Sequence, residues 1–229
     1  MVAACVAVLV WVVLPEVALG HGVTGRDAAF VQAIDGPAVG PFMYLGAKHM
    51  VTGYDHLLFL VGVIFFLYRL KDVLLYVSLF TIGHSTTLLL GVLGNVHANA
   101  HIIDAVIGAS VVYKAFDNMG GFRRLGFQPD TRAAVTVFGL FHGFGLATKL
   151  QEFTISPNGL VTNIVSFNVG VEIGQMLALT AVLIAIGFWR QRSSFGRYAF
   201  AANTVIMTAG FMLVGYQMAG YFVSRGGMP

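Results

Sequence analysis

The sequence predicts an all-α fold: a polytopic transmembrane helix bundle of six core helices, preceded by a run that is either a signal peptide or a retained seventh helix. Three observations predict it. First, 57% of the 229 residues are hydrophobic and only 10% are charged, with a mean hydropathy of +0.81, whereas a soluble domain carries about 25% charged residues. A water-facing surface cannot be built from that composition, and 13% aromatic residues is the opposite of a disordered chain. Second, the apolar residues fall into long runs joined by short connections. At about 20 apolar residues per crossing there is room for six or seven spans and no separate soluble domain. Third, Lys and Arg gather at alternate connections, as the positive-inside rule requires.

The runs are Val2–Leu19, Phe42–Tyr68, Val73–Gly94, Ile102–Phe116, Ala133–Leu150, Val161–Trp189 and Tyr198–Val223. Each is too long, and too apolar on every face, for the ten-residue alternating strands of a membrane β-barrel. Connections such as Asp117 to Arg124 and Ser156 to Gly159 hold glycine, asparagine, proline or arginine, which break helices. The first run ends Ala18-Leu19-Gly20 before His21, a small-x-small pattern like a signal-peptidase site, although no Lys or Arg precedes it. The chain therefore divides into residues 1–20 (signal peptide or helix), an outward-facing segment 21–41, and the bundle, 42–223.

Orientation follows from the cations. Arg69 and Lys71, then Lys114, Arg123, Arg124 and Arg132, then Arg190, Arg192 and Arg197 mark three connections as cytoplasmic. The expected location is a bacterial inner membrane, crossed several times, with the residues after His21 and the C-terminus facing outward. The net charge of +3 serves orientation rather than nucleic-acid binding. A single cysteine, Cys5, leaves no internal disulfide and no cysteine-built metal cluster.

The informative residues are polar ones inside the runs. An ionisable group at the bilayer centre costs about 2.5–3.5 kcal/mol on insertion scales, so Asp55, Asp104 and Glu172 together demand roughly 8–10 kcal/mol of compensation. Most histidines share those runs: His49, His56, His84, His101 and His142, with His97 in the turn just outside. In the second run, counting the amino-terminal one as the first, His49, Thr52 and His56 fall on one helical stripe with Asp55 beside it. Two imidazoles and a carboxylate on adjoining faces can bind a divalent transition metal; core histidines bonded to neighbouring helices are the plainer alternative. His101 and Asp104 open the fourth run as either a cation-attracting vestibule or an ordinary helix start. In the fifth run, Gly139 and Gly143 form a close-packing face around His142, and Gly145 permits a local helix opening. Asn168, Glu172 and Gln175 form a polar stripe on the sixth run that points into a bundle, as a ligand set or a hydrogen-bonded seam. Gly170 and Gly174 form a second close-packing face there, and the last run reads as scaffold.

Four separated motifs resemble the HupE/UreJ family of hydrogenase and urease accessory membrane proteins over roughly residues 40–180. They are His49-x5-Asp55-His56-Leu-Leu-Phe-Leu, Phe80-Thr-x-x-His84-Ser85-x-Thr87-Leu88, Phe138-Gly139-Leu-x-His142-Gly143, and Phe167-Asn168-x-Gly170-Val-Glu172-x-Gly174-Gln175. The resemblance implies nickel permeases associated with nickel-enzyme maturation, with a signal-like N-terminus and a His-rich first core helix. Nickel/cobalt transporters carry a similar motif with a four-residue gap, and the family more often has Glu where this chain has Asp104.

The expected function is a permease for a divalent transition metal, nickel foremost and cobalt, zinc or copper as alternatives. Its ligand candidates are His49, Asp55, His56, His84, His101, Asp104, His142, Asn168, Glu172 and Gln175, with His97 and His21 as further ones. No Gly-x4-Gly-Lys-Ser/Thr occurs, so the driving force is the electrochemical gradient rather than ATP. The expected partners are the lipid bilayer, the metal ion, and possible further membrane subunits or a nickel-enzyme maturation system. Two rivals stay open: a non-transporting metal-binding subunit or chaperone, in which a cleaved chain would start at a chelating His21, and an intramembrane metalloenzyme. The second lacks the dense histidine clusters of di-iron desaturases, since the closest pair, His97 and His101, is four residues apart.

Overall fold

The computed structural model describes residues 26–151 and 156–226. The amino-terminal run and His21 lie outside the described residues. Every regular element described is a helix. A short α1 (Arg26–Ala33) leads into α2 (Val39–Thr52) and α3 (Tyr54–Ile64), followed by α4 (Leu70–Leu93) and α5 (Ala100–Asn118). A single-turn α6 (Gly121–Arg124), α7 (Thr131–Leu150), α8 (Leu160–Arg190) and α9 (Ser194–Gly226) complete the chain. Four of these, α4, α7, α8 and α9, are long and apolar enough to cross a membrane.

The run from Phe42 to Tyr68 is not one helix. It breaks at Gly53, whose extended backbone (φ −72°, ψ 90°) serves as both the C-cap of α2 and the N-cap of α3. The local opening expected at Gly145 does not occur, because α7 runs unbroken through it. Gly145 instead admits Ile103 and Ile107 of α5, which a Cβ there would strike.

Three helix pairs build the bundle, each at glycine contacts. Hydrocarbon supplies no hydrophobic drive between helices, so close backbone approach and dispersion contacts carry association. In the parallel pair α2/α8, a Cβ on Gly46 would overlap the Phe167 carbonyl and one on Gly170 the Met43 carbonyl. In the parallel pair α4/α7, Gly139 sits on the Phe80 carbonyl and Gly143 on that of His84. In the antiparallel pair α5/α9, Gly108 meets Leu213 and Val214, and Gly210 meets Val112.

Helix ends are secured by side chains. Asp130 caps α7 by accepting from the Arg132 and Ala133 amides, and Asn99 caps α5. At the end of α3, the Arg190 guanidinium from α8 donates to the carbonyls of Ile64, Phe65 and Leu67 at 2.7–2.8 Å, replacing the partners a helix C-terminus lacks. Gly159 begins α8 with φ +75°, and a Cβ would collide with Pro37, so glycine is required there on both counts. Beside it, buried Asn163 accepts from the Ala38 amide at 2.7 Å and donates to the Gly36 carbonyl at 3.0 Å. Asn163→Ala strands two backbone groups, and thermal unfolding in detergent should show a loss of about 1–3 kcal/mol.

Candidate metal-handling site

The helix break decides the site. On a continuous helix, seven residues separate His49 from His56 by about 10 Å of axial rise. Because the chain turns at Gly53, their rings lie only 5.1 Å apart between centroids. His49 ends α2 and Asp55 and His56 begin α3, so the negative end of one helix dipole and the positive end of another meet here. Thr52, expected on the same stripe, is exposed and bonds back to the Lys48 carbonyl.

His56 is the hub. Its ring lies 5.7 Å from that of His84 on α4 and 4.6 Å from that of His142 on α7. His56, His84 and His142 are buried. The Gly139 and Gly143 contacts seat α7 on α4 at the level where His84 and His142 face the break. Phe80, Phe59 and Phe167 wall the cluster: Phe80 and Phe59 lie 5.1 and 5.3 Å from His142, and Phe167 lies 6.1 Å from His49. All three phenylalanines are buried, which shields His56, His84 and His142 while His49 stays partly exposed.

Hydrogen bonds select the lone pairs on offer. Asp55 Oδ1 accepts from the His56 backbone N–H and from His56 Nδ1–H, both at 2.8 Å. That assigns His56 the Nδ1–H tautomer and leaves Nε2 as a lone pair, the arrangement in which a carboxylate orients a ligand histidine. Ser110 Oγ donates to the Ile107 carbonyl at 2.6 Å, so it accepts from His142 Nε2–H at 3.2 Å, which leaves Nδ1 of His142 as the lone pair. Both atoms, with His49 Nε2 and both nitrogens of His84, are buried without a hydrogen-bond partner among the described residues. Five buried imidazole nitrogens without a partner in one cluster demand explanation, since each forfeits the solvation it had in water. Imidazole with a carboxylate is the donor set of borderline divalent metals. The donors are adjacent rather than convergent: no three His, Cys, Asp or Glu side chains among the described residues stand at the spacing of a closed metal site.

The other expected ligands are placed differently. Asn168 and Gln175 are buried on α8; Asn168 donates to the Ile164 carbonyl at 3.1 Å, and Gln175 accepts from Thr81, one turn before His84, at 3.3 Å. Glu172 is exposed on α8 beside Val169, Ile173 and Met176. It does not join the inward stripe, because the Gly170 and Gly174 contacts turn that face of α8 onto α2 and carry Glu172 away. His101 and Asp104 stand apart from the cluster with Gln217 of α9, whose Oε1 lies 2.8 Å from His101 Nδ1 and whose Nε2 donates to Asp104 at 3.3 Å. His97 is exposed and lines, with His101, Thr148, Gln151 and Ser224, a cavity of about 380 Å³.

Two residues were missed by sequence reasoning. Lys149 of α7 forms a 2.9 Å ion pair with Asp104, and Gln217 joins it from the helix read as scaffold. The available signal for Lys149 was a basic residue one position before the end of an apolar run that also carries His142.

A family model described as HupE / UreJ protein matches residues 25–225. No curated protein and no solved structure matches the chain.

Proposed function

The chain belongs to the HupE/UreJ family, a membrane-associated family tied to nickel and cobalt transport or accessory roles, and from that premise we propose that it is a permease for a divalent transition metal, nickel foremost. The observation that carries the reading is the set of orphaned imidazole nitrogens gathered around His56 at the α2/α3 break. Three other features support it. Asp55 brings negative charge to a place where a bare cation would otherwise be costly. The lone pairs of His56 and His142 are preset by Asp55 and Ser110, so a metal meets ligands in the right tautomer. The donors are not drawn into a closed shell, which suits a passage site, since conduction needs ligation weak enough to release.

In this mechanism the hydrated ion gathers at the cavity by His97 and His101, on the outward side under the positive-inside assignment. It exchanges waters for His49, His56 and the Asp55 carboxylate, and is handed on past His84 and His142. A doubly charged ion gains roughly 4.6 kcal/mol per 100 mV of membrane potential, enough to drive accumulation without ATP. This reading takes six crossings, with the α2/α3 pair counting as one, and the positive-inside rule then favours the Lys- and Arg-rich connections as the inner ones.

Proteoliposomes carrying the purified protein test this. A negative-inside potential should drive Ni²⁺ accumulation that an ionophore collapses, and Asp55→Asn should slow it by more than about tenfold. Wild-type vesicles that accumulate no more Ni²⁺ than protein-free ones would overturn the reading.

A further inference from the structure

Between the cavity and the histidine cluster lies an ion pair that this transport reading leaves without a role. On α5 the order is His101 at the cavity, then Asp104, then Ser110 bonded to His142; on α7 it is Gln151 at the cavity, then Lys149, then His142. The two helices run antiparallel, so Lys149 and Asp104 face each other at one level, about 10 Å of helix rise from His142. Their side chains are only 15% and 10% exposed. Asp104 Oδ2 takes both Lys149 and Gln217, while Oδ1 is buried with no partner among the described residues.

We propose that the Lys149 ammonium is a tethered counter-cation that closes the way from the cavity to the histidine cluster, and that an entering divalent ion must displace it from Asp104. The proposal rests on the transport reading above. An ammonium and a divalent cation repel strongly at low dielectric, so the two cannot sit together at the Asp104 carboxylate. As a pair with Asp104, Lys149 is neutral overall and tolerable inside the bundle. An ion of charge +2 competes for that carboxylate better than a monovalent one, and the unpaired Oδ1 gives it a second oxygen. The displaced ammonium, on its flexible four-carbon stem, swings into the polar cavity by Thr148 and Gln151. Lys149 thereby acts as a specificity residue: monovalent cations, which gain no charge advantage over an ammonium, fail to open the path.

Ni²⁺ titration of the purified full-length protein by calorimetry, with K⁺ flux into proteoliposomes alongside, tests this. Lys149→Met should bind Ni²⁺ about tenfold more tightly, within the usual range of couplings between competing sites, and should leak K⁺. Lys149→Arg keeps the charge and should match wild type. A folded Lys149→Met with wild-type or weaker Ni²⁺ affinity overturns the proposal. Should that variant not fold, Lys149→Met/Asp104→Asn carries the test: Ni²⁺ binding weakened several-fold supports the displacement step, and unchanged binding refutes it. His56→Ala in the same titration separates the two ideas. If it binds Ni²⁺ as wild type does, the cluster reading fails; if it loses binding while Lys149→Met is unchanged, only the ion-pair gate fails.

Discussion

His56→Ala should abolish metal accumulation in proteoliposomes, bringing Ni²⁺ uptake down to the level of protein-free vesicles, an expected loss above about 100-fold. The size of the effect follows from geometry. Among the described residues, His56 is the histidine whose ring neighbours those of His49, His84 and His142, so its removal takes away the imidazole that the other three have in common. It also takes from Asp55 the imidazole that its carboxylate orients, and breaking one side of a buried charge pair is costly in itself. Removal of a residue that merely orients a metal ligand costs 10–100-fold, and loss of the ligand costs more. His56→Gln preserves most of the volume and a polar tip, so it folds but supplies no imidazole lone pair. It should lose uptake while keeping a wild-type elution profile in detergent. Uptake at the wild-type rate in either variant would show that the histidines only pack.

Gly143→Ala should be the most damaging single-methyl change in the bundle. Its Cβ would fall on the His84 carbonyl and the Thr87 hydroxyl, and that hydroxyl already donates to the Leu140 carbonyl at 2.6 Å. Helix propensity favours alanine by up to about 1 kcal/mol, which works against the effect. Overpacking a rigid contact costs about 1–3 kcal/mol or more, and here the nearest obstructing atoms, the carbonyl group of His84, are backbone and cannot rotate away. The helices α4 and α7 must therefore separate, which moves His142 from His56 and couples the stability loss to a transport loss. A differential scanning measurement in detergent should show a lower unfolding temperature for Gly143→Ala than for Gly187→Ala, whose Cβ meets nothing within 4 Å. Equal midpoints would mean that α4 and α7 are not held this closely.

Much of the site was legible because its chemistry contradicts its surroundings. Histidines and carboxylates in apolar runs are costly enough to mark themselves, and four of the six histidines singled out in or beside the runs, His49, His56, His84 and His142, lie next to one another in the fold. The small-residue spacing of Gly139 with Gly143 and of Gly170 with Gly174 likewise marked the faces that pack. Glu172 was misjudged because it sits 60° round the helix from Gln175 at 100° per residue, and a stripe that wide can straddle an interface and an open face. The ion pair of Asp104 with Lys149 was invisible because its members are 45 positions apart and belong to different runs.

The sequence by itself determined the helical class, the apolar runs, the residues that cannot rest in lipid unpartnered, and the glycines that let backbones touch. Each of these is a local property, set by composition and by a period of 3.6 residues. Only the tertiary structure decided that the His49 to His56 stretch is a broken helix rather than a continuous stripe, that Glu172 faces away, and that a lysine stands between the cavity and the cluster. Those outcomes depend on which helix faces which, and on the angle at which glycine contacts lock them. A single residue such as Gly53 turns a chain direction without changing hydrophobicity, so no periodicity records it.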